Sequence, residues 1–110
     1  MEGRLEQELH ELHAGLCGAL ADPKRLMILY ALAASATSVN DLSEHLGLHQ
    51  PTTSRHLKIL REHGLVTPER SGSSIIYSLT DTRLIEALDM LRAVMRDIYH
   101  RRAAVANHAA

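Results

Sequence analysis

Between residues 50 and 58 the chain carries Gln50, Thr52, Ser54, Arg55 and Lys58, all hydrogen-bond donors, and no acid occurs from 49 to 61. Their chemistry is recognition rather than bond making. Arg pairs bidentately with guanine, Gln with adenine, and Ser or Thr can serve either. A merely solvated helix face carries Glu–Lys pairs, and this one has none. Ser54 and His56 are two apart and face different directions on a helix, so they make no nucleophile–base pair. No glycine-rich phosphate loop or paired carboxylates can be identified either, and the chain does not read as an enzyme. A second set is Glu6, His10, His13 and Cys17, at i, i+4, i+7 and i+11. With Asp97 and His100 of a second copy these residue types could ligate zinc or nickel. The commoner meaning of such a stripe is the polar flank of an amphipathic helix, and a lone cysteine is most often a small buried apolar residue. We therefore assign no metal ligand from this pattern, and whether Cys17 is redox active stays open.

The donors need a short helix presented end-on, and residues 41–64 supply one. Leu42 and Leu46 lie one turn apart, Gly47 gives a bend, and a second helix opens at His49 or Gln50 with Pro51 in its first turn. Thr53, Leu57 and Leu60 form its core side, and Gly64 ends it with Leu65 folding back. Helix, glycine turn and helix make a helix-turn-helix, whose second helix meets base edges in the major groove through its N-terminal residues.

Upstream, residues 2–20 read as a helix with Leu5, Leu9, Leu12, Leu16 and Ala19 as a narrow apolar seam. Asp22 caps the next helix, residues 23 to 34, with Pro23 at its first position and Leu26, Leu29, Tyr30 and Ala33 inward. Lys24 and Arg25 sit in its first turn, where a DNA phosphate would relieve their conflict with the helix dipole. Residues 35 to 37 read as a connector, and Ser38 with Asp41 fits a capping pattern. Residues 66–80 alternate like strands around a Ser71-Gly72-Ser73-Ser74 tip, a β-hairpin wing with Arg70 and Ser73 placed for a phosphate or minor-groove contact. Pro68 makes the first strand an edge strand. The last helix spans 81–104, with Leu84, Leu88, Leu91, Met95 and Ile98 as its seam, and residues 103 to 110 read as a frayed tail. Matched seams at both ends predict a homodimer. The fold class is thus mainly α with a small β-hairpin: a single winged helix-turn-helix domain over 1–110, about five helices plus a two-stranded wing, dimerising through its N- and C-terminal helices.

Composition narrows the partners. The chain has no Trp or Phe and three Tyr, too few aromatic platforms for single-stranded nucleic acid. The net charge of −1 hides an uneven distribution. Residues 1 to 22 hold five acids against Arg4, whereas 46 to 77 hold Arg55, Lys58, Arg61 and Arg70 against Glu62 and Glu69. No stretch is apolar enough to span a bilayer and no signal peptide is visible, which predicts a cytoplasmic protein without a membrane partner.

At 20–29 (Leu-Ala-Asp-Pro-Lys-Arg-Leu-Met-Ile-Leu), 41–48 (Asp-Leu-Ser-Glu-His-Leu-Gly-Leu) and 53–66 (Thr-Ser-Arg-His-Leu-Lys-Ile-Leu-Arg-Glu-His-Gly-Leu-Val), the sequence resembles the ArsR family of small winged-helix repressors. The wing, Gly-Ser-Ser-Ile-Ile-Tyr-Ser-Leu, continues the likeness. The resemblance implies a homodimer on a pseudo-palindromic operator of double-stranded DNA, released by an inducer that is often a metal or a thiol oxidant. It carries recognition positions onto Gln50, Pro51, Ser54 and Arg55, with Pro51 departing from a frequent Ser. The family's sensor positions do not match. The Cys-x-Cys stretch reads Ser38-Val39-Asn40, and last-helix ligand positions read Asp81, Arg83, Val94 and Asp97, where Arg83 would repel a cation. Redox members use two cysteines and this chain has one. The expectation is a repressor without a cofactor. Its alternatives are a metal-responsive repressor with an atypical His/Cys/carboxylate site between first and last helices, or a winged-helix module for protein partners.

Overall fold

The structure, a computed structural model, describes residues 1–109 and the side chains of residues 1–107. The chain forms two compact units, one of residues Met1–Thr80 and one from Asp81 onward.

The first unit begins with a helical rod in three segments: α1 (Gly3–Leu12), a π-helical stretch (His13–Cys17) and α2 (Gly18–Leu20). Glu2 caps it, its carboxylate accepting from the Arg4 amide at 3.0 Å. Leu12, His13 and Gly18 keep right-handed helical angles, so the rod continues through the wider turn. The π turn inserts an extra residue and changes the phase of the side chains beyond it. The expected Leu5-to-Ala19 seam is therefore split. Leu5, Leu9 and Leu12 remain 43–46% exposed, whereas Ala19 is fully buried.

Helix α3 (Pro23–Ala34) opens as the sequence predicts: Asp22 accepts from the Lys24 amide at 2.7 Å, and Pro23 follows. Its inward face differs from expectation. Ile28, Leu29 and Leu32 are buried, while Ala33 is exposed and Leu26 and Tyr30 are intermediate. The connector expected at 35 to 37 contains part of a short strand, β1 (Thr37–Ser38). It pairs antiparallel with β3 (Ser74–Leu79), which pairs in turn with β2 (Val66–Ser71), giving the order β1-β3-β2. The wing is thus two strands of a three-stranded sheet. Pro68 lies on the edge strand β2 opposite Tyr77, where a missing N–H is tolerated. Gly72, at φ +62, makes the first central residue of the hairpin turn, and Ser73 has no positive φ, the pattern of a type II′ turn.

Helices α4 (Val39–Leu46) and α5 (Gln50–Glu62) form the helix-turn-helix. Ser38 caps α4 by accepting from the Asp41 amide at 3.3 Å. Both helices end in the same left-handed glycine device. The Leu48 amide donates to the Ser43 carbonyl and Gly47 to Glu44, while Leu65 donates to Leu60 and Gly64 to Arg61. These are the paired bonds of a Schellman cap, with Gly47 at φ +67 and Gly64 at φ +74. The core beneath is built by Ile28, Leu29 and Leu32 of α3, Leu42 of α4, and Thr53, Leu57 and Leu60 of α5, closed by Leu65 and Val66. Thr53 satisfies its buried hydroxyl by donating to the His49 carbonyl at 3.2 Å.

The second unit is α6 (Arg83–Ala109), 27 residues and about 40 Å long at 1.5 Å per residue. It outruns the expected end at 104, so the tail read as frayed is helical to Ala109; Ala110 lies outside the described residues. Asp81 caps it, accepting from the Arg83 amide at 2.9 Å and from the Arg83 guanidinium at 2.7 Å. Those bonds hold the Asp81 carboxyl at about 2, with the guanidinium the largest cause and the amide next. Leu91, Val94, Met95 and Ile98 are exposed along it.

Candidate nucleic-acid interface

Burying Thr53, Leu57 and Leu60 fixes the rotation of α5 and turns Gln50, Pro51, Ser54, Arg55 and Lys58 outward, all exposed. Thr52 is intermediate, and its hydroxyl accepts from the Arg55 guanidinium at 3.4 Å, which pins that side chain one turn back along the helix. The N-cap residue His49 makes no side-chain capping bond, leaving first-turn amides free to meet an anion.

Four of these outward positions do not stand on a flat face. Pro51, Ser54, Arg55 and Lys58 line a concavity of about 420 Å³ with Arg61 and with Tyr77 of β3. Three cations and no carboxylate line it. Such a positively lined groove attracts a polyanion, and its Arg and Ser side chains can also read base edges. Tyr77 was not evident from sequence. Strand alternation groups it with Ile75 and Leu79, but only the folded sheet shows that this position meets α5. Arg70 and Ser73 are exposed on the hairpin, Arg70 opposite Ile75 and Ser73 in the turn, and neither lines the concavity. Lys24 is exposed in the first turn of α3.

Arg25 departs from its expected place at a phosphate. Its side chain is only 13% exposed. Nε donates to the Ala19 carbonyl at 2.6 Å and Nη2 to the Gly18 carbonyl at 3.4 Å. Nη1 lies 3.2 Å from Nδ1 of His56 and 4.0 Å from Asp22 Oδ2. His56 is accordingly half-buried on the inner flank of α5. Burial lowers its pKa below the ordinary value, the neighbouring Asp22 opposes this, and Arg25, Lys24 and Arg55 reinforce it. Partial desolvation raises the Asp22 carboxyl, but the Lys24 amide, His56, and the Arg25 amide and charge outweigh it and leave its pKa lowered.

On the first rod, Glu6 and His10 face each other at 4.0 Å on the surface, and Cys17 is an exposed free thiol. Among the described residues no three His, Cys, Asp or Glu side chains converge as a metal site.

Comparison with known proteins places this geometry. A family model described as bacterial regulatory protein, arsR family, matches residues 22–67, the span from the α3 cap to the start of β2. The biofilm growth-associated repressor of Xylella fastidiosa is 33% identical over 90 residues, 82% of this chain and 78% of that protein. The chain belongs to the ArsR family. The HTH-type transcriptional regulator NmtR of Mycobacterium tuberculosis is 48% identical over 71 residues, 64% of this chain and 59% of the regulator. The chain thus spans about three fifths of the length of that relative. Among solved structures, the homodimeric winged helix-turn-helix DNA-binding domain Mb0332 of Mycobacterium bovis superposes with a TM-score of 0.76 at 25% identity, covering 92% of this chain and 95% of that one. Within the ArsR fold, α4 and α5 are the helix-turn-helix and β2 with β3 the wing. Among the described residues no helix is long and apolar enough to cross a membrane.

Proposed function

We propose that this ArsR-family chain is a transcriptional repressor that binds double-stranded DNA sequence-specifically as a homodimer in the cytoplasm, residues 1–110 acting as one winged-helix domain. The observation that carries the reading is the concavity between α5 and β3, lined by Arg55, Lys58 and Arg61 without a carboxylate. Arg55, Ser54 and Gln50 read base edges, and Thr52 holds Arg55 in position. Pro51 faces the concavity without a donor of its own. Lys58, Lys24, Arg70 and Ser73 contact the phosphate backbone, which sets register and makes affinity fall with salt. The exposed apolar stripes support the homodimer: Leu5, Leu9 and Leu12 on α1, and Leu91, Val94, Met95 and Ile98 on α6. So does the homodimeric Mycobacterium bovis domain. No catalytic step and no resident cofactor are assigned.

Replacing Arg55 with Ala tests the division between reading and positioning. Binding to the selected operator should weaken by about 1–3 kcal/mol while binding to random duplex barely changes. Equal losses on both duplexes would make Arg55 a phosphate contact and leave the base readout unassigned.

A further inference from the structure

Arg25 and His56 form a polar link between the first helical rod and the outward-facing helix α5. A guanidinium has only N–H donors, so at 3.2 Å the His56 Nδ1 must accept, which places the ring proton on Nε2. The other end of Arg25 is fixed by carbonyls of Gly18 and Ala19, at the point where the rod leaves its π turn. One side chain therefore ties the end of that rod to the middle of α5, one residue from Arg55.

We propose that Arg25 is a positioning residue for α5, acting through His56, and that protonation of His56 breaks this strut and weakens DNA binding. The proposal rests on the DNA-reading function above. A doubly protonated imidazole has no acceptor left, so Nδ1–H would point at the Arg25 N–H. The charges facing the ring are Lys24 and Arg25 of α3, Asp22 at its cap, and Arg55 of α5. Three cations against one anion disfavour imidazolium, and Asp22 already lies beside Arg25. Arg25 cannot turn away cheaply because the two rod carbonyls hold it. What yields is the seating of α5. The expected result is opposite in sign to the general gain in DNA affinity that added positive charge brings.

The test pairs two readouts on wild type, His56→Asn and Arg25→Lys. Asn keeps an oxygen acceptor near the Nδ1 position and cannot be protonated, and thermal melts establish that each variant folds. Fluorescence anisotropy on a mixed-sequence duplex in low salt is measured at about pH 8 and about pH 5.5, either side of the ordinary histidine range. The acid-to-neutral affinity ratio of wild type should lie severalfold, and less than about tenfold, below that of His56→Asn, because the His56 pKa already lies below its ordinary value before DNA binds. Two-bond ¹H–¹⁵N spectra should show the His56 ring as the Nε2–H tautomer at neutral pH, with its titration midpoint moved in Arg25→Lys. Equal affinity ratios in wild type and His56→Asn, or an Nδ1–H tautomer, overturn the proposal. If no duplex is bound at either pH, the DNA-reading function fails and so does the regulatory half of the proposal. The imidazole spectra then decide the strut alone.

Discussion

Helices α5 and α6 are built on the same spacing of apolar residues and end in opposite states. On α5, Thr53, Leu57 and Leu60 are completely buried, and the polar residues between them are displayed. On α6, Leu91, Val94, Met95 and Ile98 keep the same three-and-four spacing yet are 62, 45, 44 and 39% exposed. Helical periodicity thus tells that a helix owns an apolar face, and not whether its cover belongs to the same chain. In α5 the cover is the fold's own core, and the helix is held as a rigid presenter of side chains. In α6 the stripe is unspent, as it is for Leu5, Leu9 and Leu12 on α1. The chain supplies one candidate reading surface together with the apolar stripes that the proposed dimer would cover.

Substitutions along the two stripes can break that contrast. Leu57→Ala should cost about 2–5 kcal/mol of stability by urea unfolding, because a fully enclosed side chain leaves a cavity. Leu91→Glu, at an equivalent position on the exposed stripe, should leave the fold intact by circular dichroism and halve the mass seen by sedimentation. A Leu91→Glu chain that stays dimeric would remove α6 from the interface. A smaller loss is expected for Gly64→Ala, about 1–2 kcal/mol by thermal melting, since φ is +74 and no neighbour crowds the added carbon. The smallest effect is on α6. The Asp81 carboxyl is held at about 2, below its ordinary 3.8, so the stability it contributes is full above that ordinary value and is lost as the pH falls through about 2. Asp81→Asn should flatten the acid limb of α6 helicity measured by circular dichroism. An unchanged limb would show that the clasp with Arg83 does not hold the helix start.

Features governed by local chemistry were legible in the sequence. The caps at Asp22 and Ser38, the glycine stops at 47 and 64, the Thr53–Leu57–Leu60 face and the edge position of Pro68 all follow from residues within a few positions of one another. What stayed hidden depends on distant pairing or on an even pattern. Helix α3 is almost wholly apolar from Leu26 to Leu32, so spacing alone cannot choose between Leu26 and Ile28 as the inward residue. Strand β1 is two residues long and exists only by pairing with Ile76 and Tyr77. The π turn carries no pattern beyond Gly15 and Gly18 beside it, yet it separates the exposed leucines from buried Ala19. At the candidate site, the five donors on α5 could be read directly from residues 50 to 58. Tyr77 could not, and Arg25 reads as a phosphate contact until the Gly18 and Ala19 carbonyls are seen to hold it.

In the proposed function, α5 and the wing read duplex DNA in two symmetric copies. Selection of binding sites from a random duplex library by the intact protein tests it most directly. The expected result is enrichment of an inverted repeat whose half-sites lie one helical turn apart (~34–36 Å). Enrichment of a single unrepeated site, or none at all, would contradict it.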